Sequence, residues 1–362
     1  MIFDSHVDTP SQLLRLRDIG IDNTYAQLDL PKMKAGDYSG AFFALYTPPQ
    51  MAPDAATRYA LEMLSAVYDA AESNSDYAAI TFTPDEAAAN SKKGLMSLFI
   101  GMENGSPIQE SLSLLKTFYR LGVSYVTLTH NADNAIADSA AQGTRWNGLS
   151  PFGRSLVKEM NKLGMMIDLS HASDKAFWDC IELSSAPVIA THSCCRALCS
   201  HRRNLTDDML RALGEKDGYV GINIYPPFLS DDFASSPEDA ALMDAADLAE
   251  TAFIANPSDP AAIENWHKMQ DRLKELNRPG VKEIVDHIDH AVSLAGIDHV
   301  GIGSDFDGIL VPPAGVENAS EIGRVFDEML RRGYSQEAVN KVAGGNLMAV
   351  YERIINCSEL DS

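Results

Sequence analysis

The sequence predicts a (β/α)8 barrel, a closed ring of parallel strands with helices outside it and a helical insertion between strands seven and eight. Three observations predict it. Short apolar runs rich in branched residues recur along the chain, and amphipathic stretches with apolar residues three and four apart lie between them. Six strings, SHVDTP, GMENG, TLTHN, IDLSHAS, IATHS and GIGSDFDG, each end such a run with a histidine or a carboxylate. A parallel barrel keeps its active site at the carboxyl ends of its strands. A doubly wound open sheet would gather its site at one switch point rather than along the entire chain.

In order, the predicted strands are residues 2–8, 41–46, 96–103, 124–130, 165–171, 188–192, 219–225 and 299–305. The intervening helical stretches include 53–71, 107–121, 151–163, 174–183 and 207–213. Their ends are marked chemically. Ser150 before Pro151 reads as an N-cap and first helical residue, while Gly122 and Gly164 stand where helices stop. From about 230 to 280 the chain turns rich in Ala, Asp and Glu, with two helical stretches separated by NPSDP. This insertion reads as a solvated helical pair on the barrel's rim, as a lid, or as a subunit contact. The 362 residues thus read as a single barrel domain, a little longer than the usual barrel because of the insertion.

Composition narrows the partners. A formal charge of -22 would repel nucleic-acid phosphates and anionic membranes, so neither is expected. No apolar run approaches the roughly 20 residues that span a bilayer. Residues 1–8 read as a core strand rather than a signal peptide, and the terminal SELDS is polar. Five scattered cysteines, an odd number, suit reduced thiols in a cytoplasmic protein. Cys194 and Cys195 read as packing residues.

The strand-end residues carry the chemistry. Residues two apart on a strand share a face, so His6 and Asp8 can offer an imidazole and a carboxylate to one metal. His171 and His192 close consecutive strands and suit a second metal, and Glu103 can bridge the two, satisfying both of its oxygens. This nitrogen and oxygen donor set suits zinc, two ions per subunit. A water shared by such a pair is acidified towards hydroxide at neutral pH and becomes the nucleophile. Asp305 is left over as a general base and acid, and His130 as a donor to the tetrahedral oxyanion, with a third-ligand or structural role as its alternative. Asp307 reads as structural.

The strings DSHVDTP, GMENG, LTHNADNAIADS, GLSPFGRSLVKEMNKLGMMIDLSHAS, APVIATHSCCRALCSHRRNLTDDML, HVGIGSDFDG and GGNLMAVY resemble the renal (membrane) dipeptidase family of the amidohydrolase superfamily. The likeness runs from the first strand to the last helix, apart from the insertion. It implies a binuclear zinc barrel that hydrolyses dipeptides, including L-Xaa-D-Xaa. The family's ligands match His6, Asp8, Glu103, His171 and His192; its oxyanion-contacting histidine matches His130, and its proton-shuttling aspartate matches Asp305. Its carboxylate-holding arginine matches Arg203, with Arg202 as the neighbouring candidate. The group that holds the substrate amine is left unassigned.

The best-known animal members are secreted, disulfide-linked and lipid-anchored, whereas this chain is expected to be a soluble, bacterial-type version. A homodimer is what the resemblance suggests. Two rivals stand beside this reading: another hydrolase of the superfamily acting on a lactam, lactone or deaminase-type substrate, and a non-catalytic metal-binding protein.

Overall fold

The computed structural model describes residues 1–358 apart from Leu16 and Gln142; most of the polar tail lies outside the described residues. Among the described residues nine strands form: β1 (Ile2–Val7), β2 (Tyr38–Tyr46), β3 (Ala78–Ile80), β4 (Met96–Glu103), β5 (Val123–Thr127), β6 (Met166–Asp168), β7 (Ile189–Ala190), β8 (Tyr219–Ile222) and β9 (Val300–Ile302). Eight of them, all but β3, follow one another in parallel order around a nearly closed barrel. The ring shuts where Asp305 N donates to His6 O (3.0 Å) and Asp8 N to Phe306 O (2.9 Å). β3 is an addition that pairs only with the start of β4. Its three residues, Ala-Ala-Ile, are too few to show an alternating pattern.

The pleat decides which side chains enter the barrel. Phe42 and Phe99 stack inside it with ring centroids 4.6 Å apart, joined by Phe3, Tyr125, Met166, Ile189 and Tyr219. Leu347, Val350, Tyr351 and Ile354 of the C-terminal helix (Asn346–Asn356) pack on this layer and plug the floor. Residues of the same parity as Phe42 and Phe99, further along, reach the mouth: Tyr46 and Glu103, which are register partners. β1 needs a device to do the same. Its pairing slips between Asp4 and Val7, so Phe3 faces the floor and yet His6 also faces inward.

Five of the strands stop earlier than their sequence pattern suggests. His130, His171 and Asp305 lie three residues past β5, β6 and β9, and His192 lies two past β7. Likewise, residues 223–225 have left β8. The chain there abandons the ladder to curl over the barrel mouth. His171 (φ 66°) and Asp305 (φ 64°) adopt left-handed backbone, which is uncommon outside glycine and recurs at functional sites.

The outer helices start and stop as their sequences indicate. Ser150 Oγ accepts from Gly153 N, and Gly164 closes the helix Pro151–Leu163 with φ 68°. Between β8 and β9 stand the helices Pro237–Ala255 and Pro260–Lys274, capped by Ser236 and Asp259. They form a small core of their own, with Phe233, Ala246, Ala249, Trp266 and Leu273 gathered on Val311 and Tyr225 of the barrel's rim. Their far end is tied to the loop after β1: Tyr25 stacks on His267 (3.6 Å), and its hydroxyl reaches Asp271 (3.4 Å). Among the described residues no helix is long and apolar enough to cross a membrane.

Candidate metal centre and substrate pocket

Seven of the eight sequence-predicted site residues converge on the barrel mouth as potential metal donors. His6, Asp8 and Glu103 form one group of mutually close donor atoms, His6, His192 and Asp305 a second, and Glu103, His130 and His171 a third. Glu103 divides its oxygens. Oε2 faces His6 Nε2 (3.7 Å), while Oε1 faces His171 Nε2 (3.0 Å) and His192 Nε2 (3.4 Å). Asp8 Oδ2 lies 3.4 Å from His6 Nε2, and Asp305 Oδ1 lies 4.0 Å from the same nitrogen.

Hydrogen bonds behind the imidazoles orient them. Asp168 accepts from Thr191 Oγ1 (2.7 Å), so that hydroxyl can accept from His192 Nδ1 (2.8 Å) and leave Nε2 as a lone pair facing the site. Asn131 Oδ1 stands 3.2 Å from His171 Nδ1 and acts likewise. For His6 the Nδ1 neighbour is the Tyr125 hydroxyl, at 2.8 Å. All three rings thus point Nε2 inward, the arrangement typical of metal-ligating histidines.

Unmet demand fits a cation. His6 Nε2 and Asp8 Oδ1 are buried and without a hydrogen-bond partner among the described residues. Burial, reinforced by Glu103, pushes the Asp8 carboxyl well above the ordinary range. Burial opposes ionisation of Glu103 too, but His6 and the other imidazoles hold it well below its ordinary value. Burial brings His130 down to about 4, and burial and neighbouring positive charge lower His171 and His192, favouring their neutral form; at His6 burial also opposes the charge, but the Glu103 and Asp8 carboxylates hold the imidazole well above its ordinary value. Space is kept for the carboxylates by Gly308, where a Cβ would collide with Asp8 Oδ2 and crowd Asp305 Oδ1.

Arg203 is the eighth residue, and the structure separates it from Arg202. Arg202 is exposed and its Nη1 donates to Ala141 O. Arg203 is only 5% exposed, donates Nη2 to His192 O (3.1 Å), and lies over the Phe228 ring (5.5 Å), while its Nε is buried with no hydrogen-bond partner among the described residues. A buried guanidinium with an idle N–H beside the metal donors is suited to receive a carboxylate.

The family model for membrane dipeptidases, peptidase family M19, matches residues 1–361. The chain belongs to this family. It is a dipeptidase-family hydrolase, and membership in a family of metallopeptidases implies a metal cofactor. An uncharacterized dipeptidase of Schizosaccharomyces pombe is 30% identical over 97% of this chain and 80% of its own length. Among solved structures, the probable dipeptidase PvdM of Pseudomonas aeruginosa is 27% identical with a TM-score of 0.83, over 99% of this chain and 96% of that one. A metallopeptidase of Rhodobacter sphaeroides, liganded with a phosphinate mimic of L-Ala-D-Ala, is 27% identical with a TM-score of 0.80, over 98% and 99% of the two chains.

Several supporting residues escaped the sequence reading. Asn223 Nδ2 donates to Asp305 Oδ2 (2.9 Å), leaving Oδ1 turned towards the cluster. Tyr125, Asn131, Thr191 and Asp168 stand behind the clustered imidazoles, and apart from their proximity to strand ends nothing in their spacing announces it. The residues read as bland are accounted for by packing. Cys194 and Cys195 are buried, with Sγ donating to Asn223 O and His287 O. Asp307 is held by Thr9 (2.6 Å) and Arg17 (2.9 Å).

Proposed function

We propose that this family member is a binuclear zinc dipeptidase whose substrates include L-Xaa-D-Xaa. The observation that carries the proposal is the division of Glu103, one oxygen towards His6 and the other towards His171 and His192. In this reading His6 and Asp8 would hold one ion, His171 and His192 would hold the other, and Glu103 would serve both. The mixed nitrogen and oxygen donors favour zinc. When bound, the ions supply Lewis acidity and a water acidified enough to attack at neutral pH.

The chain's own residues do the rest. Arg203 takes the substrate's terminal carboxylate through its idle Nε and a terminal nitrogen, and so measures where the peptide ends. His130, neutral at working pH, donates to the oxyanion that develops on the scissile carbonyl. Asp305 Oδ1 takes the proton released during attack and delivers it to the departing amine, while Asn223 fixes Oδ2. Acceptance of a D-residue rests on family likeness and on the ligand of the Rhodobacter relative. A single barrel domain over residues 1–362, a homodimer and a cytoplasmic location complete the proposal.

Hydrolysis of a panel of L-Xaa-L-Xaa and L-Xaa-D-Xaa dipeptides with added zinc tests it, with chelator and C-terminally amidated controls. Chelator-sensitive cleavage that needs the free carboxylate is expected. No cleavage across the panel by protein with two ions bound would move the assignment to another amidohydrolase substrate.

A further inference from the structure

Asp305 reaches the barrel mouth from a strained turn. Asp305 (φ 64°) and Asp307 (φ 68°) both hold left-handed backbone, and Gly308 N donates back to Asp305 O (3.0 Å). Residues other than glycine keep this conformation where their surroundings over-determine it. Up to Phe306 the barrel supplies that constraint, since Asp305 N donates to His6 O (3.0 Å) and Asp8 N donates to Phe306 O (2.9 Å). Past Phe306 the chain leaves the ring, and a different group takes over.

That group is Gln27, in the loop between the helices Thr9–Leu13 and Leu30–Ala35. Its side-chain amide acts like a peptide group of a neighbouring strand. Oε1 accepts from Asp307 N (2.8 Å) and Nε2 donates to Ile309 O (2.8 Å), so one planar group grips the backbone on both sides of Gly308. Gln27 N also donates to Asp307 Oδ1 (3.0 Å), while Asp307 Oδ2 accepts from Thr9 Oγ1 (2.6 Å) and Arg17 Nη2 (2.9 Å). Gln27 is anchored in turn, because its O accepts from Ala319 N (2.9 Å) and the residue is only 7% exposed. Losing such bonds is unfavourable because the groups left behind stay buried. The turn has no slack at Gly308, where a Cβ would collide with Asp8 Oδ2 and crowd Asp305 Oδ1. A shift of residues 307–309 is therefore passed on to Asp305.

We propose that Gln27 is a positioning residue for the reaction, holding the turn that aims Asp305 Oδ1 at the metal donors. This rests on the role of Asp305 in the dipeptidase reading and deepens it. Asn223 fixes the other oxygen of the Asp305 carboxylate (2.9 Å), and Gln27 fixes the backbone from which that side chain springs. His6, Glu103, His171 and His192 stand on or just past other strands, so loss of the Gln27 amide leaves them in place.

The test is Gln27→Met, which keeps the length of the side chain and removes both amide bonds. With L-Ala-D-Ala and the zinc-loaded protein, kcat should fall about 10–100-fold, with KM and zinc content nearly unchanged. In the Asp305→Asn background the same substitution should reduce kcat little further, since no proton carrier is left to aim. Losses that multiply across the two positions, a raised KM with kcat unchanged, or lost zinc would each place the effect elsewhere than Asp305 and overturn the proposal. A crystal structure of Gln27→Met reads the same claim without turnover. Asp305 Oδ1 should move about 1 Å or more from its native position, and an unmoved Asp305 refutes the proposal. Displacement in a protein that cleaves no dipeptide still supports the Gln27 brace and counts against the dipeptidase reading alone. Should Gln27→Met fail to fold, Gln27→Asn, whose amide stops one methylene short of Asp307, carries the same expectations.

Discussion

The barrel mouth and the insertion above it solve the same problem, holding charge away from water, in opposite ways. At the mouth, charged and polar groups are packed against one another, and behind the imidazoles of His6, His171 and His192 stand Tyr125, Asn131 and Thr191. In the insertion, Glu250 is desolvated by the docking of a helix and no described side chain pairs with it. The first arrangement fixes geometry for chemistry common to many substrates. The second leaves a carboxyl whose neutral form is favoured by burial. Damage at the mouth should therefore alter turnover or metal binding, and damage in the insertion should alter pH-dependent stability.

The largest effect is expected at Asp305. Asp305→Asn keeps the shape and the Asn223 contact but removes the proton acceptor, so turnover should fall roughly 10²–10⁴-fold with metal content nearly intact. Equal loss of metal and activity would make Asp305 a ligand instead. Next comes Arg203→Ala, expected to lower kcat/KM by about 10²-fold for dipeptides with a free carboxylate. C-terminally amidated substrates should suffer far less, and an equal loss for both would remove Arg203 from carboxylate recognition.

A smaller effect sharpens the role of the supporting bonds. Thr191→Val should weaken metal affinity about 10–100-fold in a competition titration, because His192 Nδ1 loses the acceptor that sets its orientation. Thr191→Ser should restore it, whereas a merely steric role would be served better by valine.

The smallest effect concerns the insertion and has a defined sign. The Glu250 carboxyl titrates at about 7 in the folded chain against an ordinary 4.5, so between those values the unfolded chain releases a proton that the folded chain keeps. Its influence on stability is therefore harmless below pH 4.5, grows unfavourable as pH rises to 7, and is level above that. Glu250→Gln should gain at most about 3 kcal/mol over the native protein at pH 8 relative to pH 4.5. Denaturant unfolding at the two pH values checks it. An equal difference at both would show that Glu250 is not held in a desolvated state.

The two regions also differed in how far their sequence could be read. Apolar, branched runs ended by His, Asp or Glu disclosed the barrel and the seven residues that cluster at its mouth, because strand-end position is a local property. The slip in β1 that turns His6 inward was invisible, as were the early ends of β6, β7 and β9, since both arise where the chain trades ladder hydrogen bonds for closure of the mouth. Asn223, Thr191 and Asp168 are partners across strands, which no local spacing encodes. Glu250 sits in a stretch whose Ala, Asp and Glu content reads as a solvated face, and only docking against Tyr225 distinguishes it from the acidic residues around it.

The most direct test of the metal centre is zinc bound per chain after reconstitution of the metal-free protein and removal of excess ion, in the native chain and in Glu103→Ala. Two equivalents are predicted for the native chain, with both sites weakened together by Glu103→Ala because one carboxylate serves both. A single equivalent in the native chain, or loss of one site with the other unchanged in the variant, would contradict the bridged pair.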